Sequence, residues 1–222
     1  MTGKTSIEWT EQTWNPVAGC SLVSPGCTNC YAMSHAARLL DKPGSHYEGT
    51  TKRVNGKPVW TGKIGIAPDS ILLAPLRRRK PAMYFVNSMA DLFHEGVPEA
   101  VIDCVFAVMA LSPQHTFQVL TKRAKRMREY MMGFGCDGSR RFNVFDAMCQ
   151  VADSSSVRGV FKDGSSTILA PEWPLPNVWL GVSAEDQARA DERIPDLLAT
   201  PAAVRFVSAE PLLGPIDFNR IH

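Results

Sequence analysis

The stretch PAMYFVNSMADLFHEGVPEAVIDCVFAVMALSPQHTFQVLT, residues 81–121, decides the fold. Met83 to Asn87 is a compact apolar run between Pro81 and the polar pair Asn87-Ser88, the composition of a strand buried on both faces of a parallel sheet. Pro98 stands where a first helical residue is tolerated. Beyond it Val101, Val105 and Val108, beside Ile102, Phe106 and Met109, recur at i, i+4 and i+7, which predicts a helix to about Leu111. His115 to Leu120 is β-rich again. Strand, helix-length crossover and strand make one unit, and such a crossover joins parallel strands.

The same rhythm continues on both sides. Downstream, Thr121 to Met132 is basic with helical composition, and Asn177 to Val182 and Val204 to Ser208 read as strands separated by a helix over Glu185 to Arg193 that stops before Pro195. Between them, residues 133–176 break the alternation with Gly133, Gly135, Gly138, Ser154 to Ser156 and Pro171 to Pro176. They read as an insertion carrying a helix over Phe142 to Val151. Upstream, Ser6 to Thr10 and Thr13 to Val17 are candidate strands, Gly19 to Asn29 is a loop, and Tyr31 to Leu40 is a helix ended by Pro43-Gly44. Residues 41–70 read as loop, and Ile71 to Arg79 leads into the strand at Met83. The whole chain, 1–222, reads as a single α/β domain with about five to six parallel strands, open or barrel-shaped. In barrels the working residues gather where strands end, so Asn87-Ser88, Thr121-Lys122, Ser183 to Glu185 and Ser208 to Glu210 are expected on one rim.

Composition narrows the rest. With 45% hydrophobic and 21% charged residues the chain can bury a full core, and a net charge of +2 is too small to argue by itself for a nucleic-acid partner. Apolar runs such as Val105 to Leu111 fall short of the roughly 20 residues of a membrane span, so no membrane partner and a cytoplasmic location are expected. The chain has six cysteines. Without a secretion signal they are read as reduced thiols rather than three disulfides.

Cys20, Cys27 and Cys30 form C-x6-C-x2-C in a loop containing Gly19, Pro25 and Gly26. Fe-S clusters usually take four cysteines, and three leave one iron open to a cofactor or substrate. The competing reading completes a Cys3His zinc site with His35, giving a non-catalytic zinc-stabilised protein that binds nucleic acid or a host partner. Cys104, Cys136 and Cys149 carry no such pattern and read as structural.

Thr13-Trp14-Asn15-Pro16 and Ser24-Pro25-Gly26-Cys27-Thr28-Asn29-Cys30-Tyr31, with Asn87-Ser88-Met89-Ala90-Asp91, Phe117 to Arg123, Val178 to Ser183 and Ser208 to Pro215, resemble a phage and bacterial radical SAM-like family that is distantly similar to spore photoproduct lyase. The resemblance implies a partial (β/α) barrel, a 4Fe-4S cluster on Cys20, Cys27 and Cys30, S-adenosylmethionine at the open iron, and an electron donor such as flavodoxin or ferredoxin. It points to a nucleic acid or nucleotide substrate in phage DNA repair or modification. The six-residue gap departs from the usual C-x3-C-x2-C, and Tyr31 replaces the aromatic residue that ordinarily precedes the third cysteine. Relatives continue past Pro215 with a further strand, so a barrel incomplete at its C-terminus, or finished by another chain, is expected.

On this reading Glu210 and Lys122 are the catalytic candidates, and Asn87, Ser88, Asp91, Thr121, Arg123, Ser183, Glu185 and Ser208 the cofactor-binding ones. Asp91 and Ser88 would accept from the methionine ammonium. Lys122 and Arg123 would hold a carboxylate or phosphate, and Glu185 or Glu210 would meet ribose hydroxyls or the substrate. Capping of a helix by Ser88, Asp91 or Ser183 is the structural alternative. His94 and Trp179 are weaker candidates. The basic runs Arg77 to Lys80 and Lys122 to Arg128 would either track a nucleic-acid backbone or lie on solvated faces.

Overall fold

The computed structural model describes residues 2–5, 7–39, 44–136, 139–154 and 170–221. The chain opens with β1 (Thr2–Lys4), β2 (Gln12–Trp14) and β3 (Val17–Ala18), then a 3-10 turn Pro25–Cys27 and helix α1 (Tyr31–Leu39). Three short strands follow, β4 (Thr51–Val54), β5 (Lys57–Trp60) and β6 (Gly65–Ile66), with the one-turn helices α2 (Asp69–Leu72) and α3 (Ala74–Arg77). The second half alternates: β7 (Met83–Val86), α4 (Glu99–Ala110), β8 (Thr116–Thr121), α5 (Ala124–Cys136), α6 (Ser139–Asp153), β9 (Val178–Ser183), α7 (Gln187–Ala199) and β10 (Val204–Ser208).

The main sheet has the order β1-β2-β7-β8-β9-β10, with β1 antiparallel to β2 and the other five strands parallel. Among the described residues this sheet stays open, an α/β arrangement with a parallel core and no closed barrel. Alternate residues face opposite sides, as the strand period of two requires. Trp14, Val86, Phe117, Val119, Leu180 and Val182 bury against the helices in the main core, whereas Thr13, Phe85 and Leu120 turn to a cavity on the other side. Behind the sheet α4 packs on α6, and α5 on α7. No helix among the described residues is long and apolar enough to cross a membrane.

Several expectations are corrected. Residues 7–10 form a turn rather than a strand, with the Thr10 hydroxyl donating to the Met83 carbonyl at 3.2 Å; Ser6 lies outside the described residues. Residues 41–70, read as loop, contain a hairpin of β4 and β5. Its turn is Asn55-Gly56, whose φ values of 49° and 77° are those a two-residue hairpin turn demands. Ile71 to Arg79 does lead into the strand at Met83, by way of α2 and α3. Helix α7 continues through Pro195 to Ala199 because Ile194 and Leu197 are buried there, and packing outweighs the lost backbone donor. The described part of residues 133–176 packs on the main core: Val144, Met148 and Val151 of α6 are buried in it, and Trp173 stacks on Phe134 at 3.9 Å. Residues 155–169 lie outside the description.

Candidate functional site

Five parallel strands bring their carboxyl ends together, and a cavity of about 1190 Å³ opens there. Cys20, Cys27 and Cys30 all line it. So do Asn87, Ser88, Asp91 and the Thr121-Lys122-Arg123 run. Ser183, Ser208 and Glu210 complete the expected set, and only Glu185 lies behind the wall. The expectation of a common rim holds.

Gly19 sets the cysteine loop in place. Its φ is +88°, a Cβ there would lie 2.1 Å from the Lys63 carbonyl oxygen, and its backbone forms a parallel bridge with Ala90, so no other residue fits. Cys30 then heads α1, and its N–H donates to the Cys27 carbonyl at 3.3 Å. All three thiols are free. Burial, with Asp91 adding to it, pushes the Cys20 thiol up to about 12, although the Arg123 guanidinium beside it acts in the opposite direction. Arg123 Nη1 stands 3.8 Å from Cys20 Sγ.

Side-chain partners divide the expected residues in two. Asp91 Oδ1 accepts from Thr121 Oγ1 at 2.6 Å and Phe93 N at 3.0 Å, and Oδ2 from Lys122 N at 3.1 Å and Arg123 Nη1 at 3.0 Å. A carboxylate has about four acceptor directions; Asp91 has none left for a methionine ammonium. Thr121 is occupied by Asp91 and by the Arg123 amide at 2.9 Å. Arg123 is spread over Asp91, Glu95 at 2.9 Å and Ser21 Oγ at 2.8 Å, so it serves the protein's own groups rather than a ligand phosphate.

Glu185 is fully buried and receives Ser24 Oγ, Lys122 Nζ at 3.1 Å and Arg193 Nη1 at 2.9 Å. It lies off the cavity and so away from any ribose there, while Lys122 lines the cavity and spends one of its three donors on this carboxylate. Burial pushes the Glu185 carboxyl up, but the Ser24 hydrogen bond and the charges of Lys122 and Arg193 outweigh it, and the net shift is downward. The Ser88 hydroxyl donates to Asn15 Oδ1 at 3.1 Å. Asp186, not Ser183, caps α7 through the Arg189 amide at 2.8 Å.

Four other expected groups remain to meet a ligand. Asn87, in the left-handed region at φ 59°, accepts the Val17 amide on Oδ1 at 3.1 Å, while its buried Nδ2 has no partner among the described residues. Ser183 and Ser208 present hydroxyls to the cavity, and exposed Glu210 has no ion pair among the described residues. The residues missed by sequence reading are Ser21, Ser24, Asn15 and Arg193, together with Tyr47 and Trp60, which line the cavity and pack with Cys20 and Cys30. His94 bonds Ser21 at 2.9 Å, and Trp179 lies off the cavity.

The two basic runs lie apart, and part of each is exposed: Arg79 and Lys80 in the first, Lys125 in the second. Arg77 to Lys80 precedes β7, at the opposite end of the sheet from the cavity. In the second run Arg126 donates to the Phe93, His94 and Val97 carbonyls, and Arg128 pairs with Asp196 at 2.7 Å.

Among the described residues no three His, Cys, Asp or Glu side chains are grouped to hold a metal ion. His35 instead meets Tyr31 edge-on, ring centres 5.9 Å apart. Cys104 packs partly buried against the main core; the Cys136 side chain lies outside the described residues.

Fold and site define an α/β protein with an open parallel sheet and a cysteine-lined cavity at its carboxyl rim. The chain belongs to the family described as protein of unknown function (DUF5131), which matches residues 4–222. No curated protein and no solved structure matches it.

Proposed function

We propose that this protein is a radical S-adenosylmethionine enzyme, with Cys20, Cys27 and Cys30 as ligands of a 4Fe-4S cluster. The observation that carries the reading is the opening of all three free thiols onto one cavity at the carboxyl ends of five parallel strands. At about 1190 Å³ the cavity exceeds the roughly 300–1,000 Å³ of most single-ligand sites, which leaves room for cofactor and substrate together. Cys20, Cys27 and Cys30 would hold such a cluster, which would supply one-electron reduction of S-adenosylmethionine and, through it, hydrogen-atom abstraction from the substrate.

The chain's own groups bind and orient. Asn87 Nδ2 donates, the Ser183 and Ser208 hydroxyls donate or accept, and the Glu210 carboxylate accepts from an ammonium or from ribose hydroxyls. Arg123 places a positive charge beside the Cys20 sulfur. The partial-barrel class and a nucleotide or nucleic-acid substrate belong to the same reading. The cavity volume favours a nucleotide-sized group, and a flavodoxin or ferredoxin would donate the electron.

Anaerobic reconstitution tests this. About four iron and four sulfide per chain, and 5′-deoxyadenosine after dithionite and S-adenosylmethionine, are expected, both lost in Cys20→Ser, Cys27→Ser and Cys30→Ser. About one zinc per chain with no deoxyadenosine would replace the enzyme by a zinc-stabilised binding protein.

A further inference from the structure

The cysteine loop has little structure of its own. Between β3 and α1 its one regular element is the 3-10 turn Pro25–Cys27, and Leu22 and Val23 are exposed. Beyond the Gly19 bridge to Ala90, the Gly62 amide on the Cys20 carbonyl at 3.2 Å and His94 on Ser21, it is held by side chains from the strand ends. On one side Arg123, held by Asp91 and Glu95, donates to Ser21 Oγ at 2.8 Å and faces Cys20 Sγ. On the other, Glu185, held by Lys122 and Arg193, accepts from Ser24 Oγ, which lies 3.8 Å from Cys27 Sγ. A Cβ on Gly26 would stand 3.0 Å from the Glu185 carboxylate, so the loop backbone rests on that group.

We infer that Glu185 and Arg123 are positioning residues, two buried charged clamps that hold the Cys27 and Cys20 ends of the loop at a set separation before any metal arrives. Their use in holding a cluster rests on the enzyme reading above. Lys122 and Arg123 are adjacent at the end of β8, so one dipeptide anchors both clamps to a single strand. A loose loop would have to order three thiols at the moment of assembly; the clamps supply that order in the folded chain.

The contacts on the loop are serine hydroxyls, which can be removed without touching the core. In reduced, iron-free, full-length protein, alkylation by iodoacetamide is followed at each cysteine by peptide mass spectrometry. Ser24→Ala is expected to speed reaction at Cys27 about tenfold, the scale of losing one hydrogen bond to a charged group. Ser21→Ala acts in the same way at Cys20. Cys104, on α4, is the internal control and stays at its wild-type rate. Ser24→Thr, which keeps the hydroxyl, restores slow reaction at Cys27, and Glu185→Ala exceeds Ser24→Ala.

Wild-type rates at Cys27 in folded Ser24→Ala protein would overturn the clamp, as would a rise at Cys104 equal to that at Cys27. Iron analysis of the same preparations separates the two claims. A wild-type chain that takes up no iron removes the enzyme reading, whereas the alkylation pattern decides the clamp.

Discussion

The strands β7 to β10 with their helices and the loop from Cys20 to Cys30 are held by different forces. In the first region Phe106, Phe117 and Leu180 are wholly buried among other apolar side chains, and each position follows from close packing. The loop buries few apolar groups and is fixed by ionic groups reaching out of that framework. Packing is cooperative, so loss of one core group is felt by the whole domain. A hydrogen bond to a buried charge acts on the segment it restrains, and the loop can be released while the fold stands.

Phe106→Ala should give the largest effect. The ring lies 5.4 Å from Tyr130 and 6.0 Å from Trp173 with no exposure, and its removal leaves a cavity that costs about 3–5 kcal/mol. Urea unfolding measures the loss, and under native conditions the alkylation pattern of the loop cysteines should stay as in wild type. Asp91→Asn tests the other region. The amide keeps the shape but loses the charge that Arg123 and Thr121 bind, a cost of about 2 kcal/mol. Here Cys20 should react faster even at temperatures where the protein is fully folded. Equal behaviour of the two variants at Cys20 would erase the distinction between the regions.

The first region was legible from sequence because its signals are local. Met83–Val86 and Thr116–Thr121 are contiguous apolar strands, α4 carries its own period, and parallel pairing then requires a common rim. The Asn55-Gly56 turn is also a local signal, and it marks the hairpin that reading by composition passed over. What could not be read is which rim groups are already in use. Asp91 finds Thr121 across 30 positions, and Ser24 finds Glu185 across 161. Neither partner carries a pattern that names the other. Carboxylates and cations at strand ends look alike whether they await a ligand or hold a loop.

Tyr130→Phe sharpens the comparison from inside the packed half. The phenol donates to Asp103 Oδ1 at 2.7 Å, and Arg140 also binds that carboxylate at 3.2 Å. Because Arg140 remains, the carboxylate keeps a partner and the loss should be about 1 kcal/mol by urea unfolding. Reaction at Cys20 and Cys27 should not change, since nothing in this group touches the loop.

Acid gives the smallest effect and places it in one region or the other. His115 is 1% exposed, donates from Nε2 to the Pro75 carbonyl at 3.1 Å, and has no partner for Nδ1 among the described residues. Burial lowers its pKa below the usual 6.5, the Arg78 charge adds to this, and the Pro75 and Arg78 carbonyls offset part of it. The folded chain therefore keeps His115 neutral where the unfolded chain binds a proton. Its contribution is fully present above about pH 6.5 and is lost as pH falls through the lowered folded value. His115→Gln keeps a donor for Pro75 and cannot take the proton, so its urea midpoint should fall less than that of wild type between about pH 7.5 and pH 5. Parallel declines in the two proteins would move the acid sensitivity to the cysteine-loop side, where burial also lowers His94 and brings His46 down to about 4.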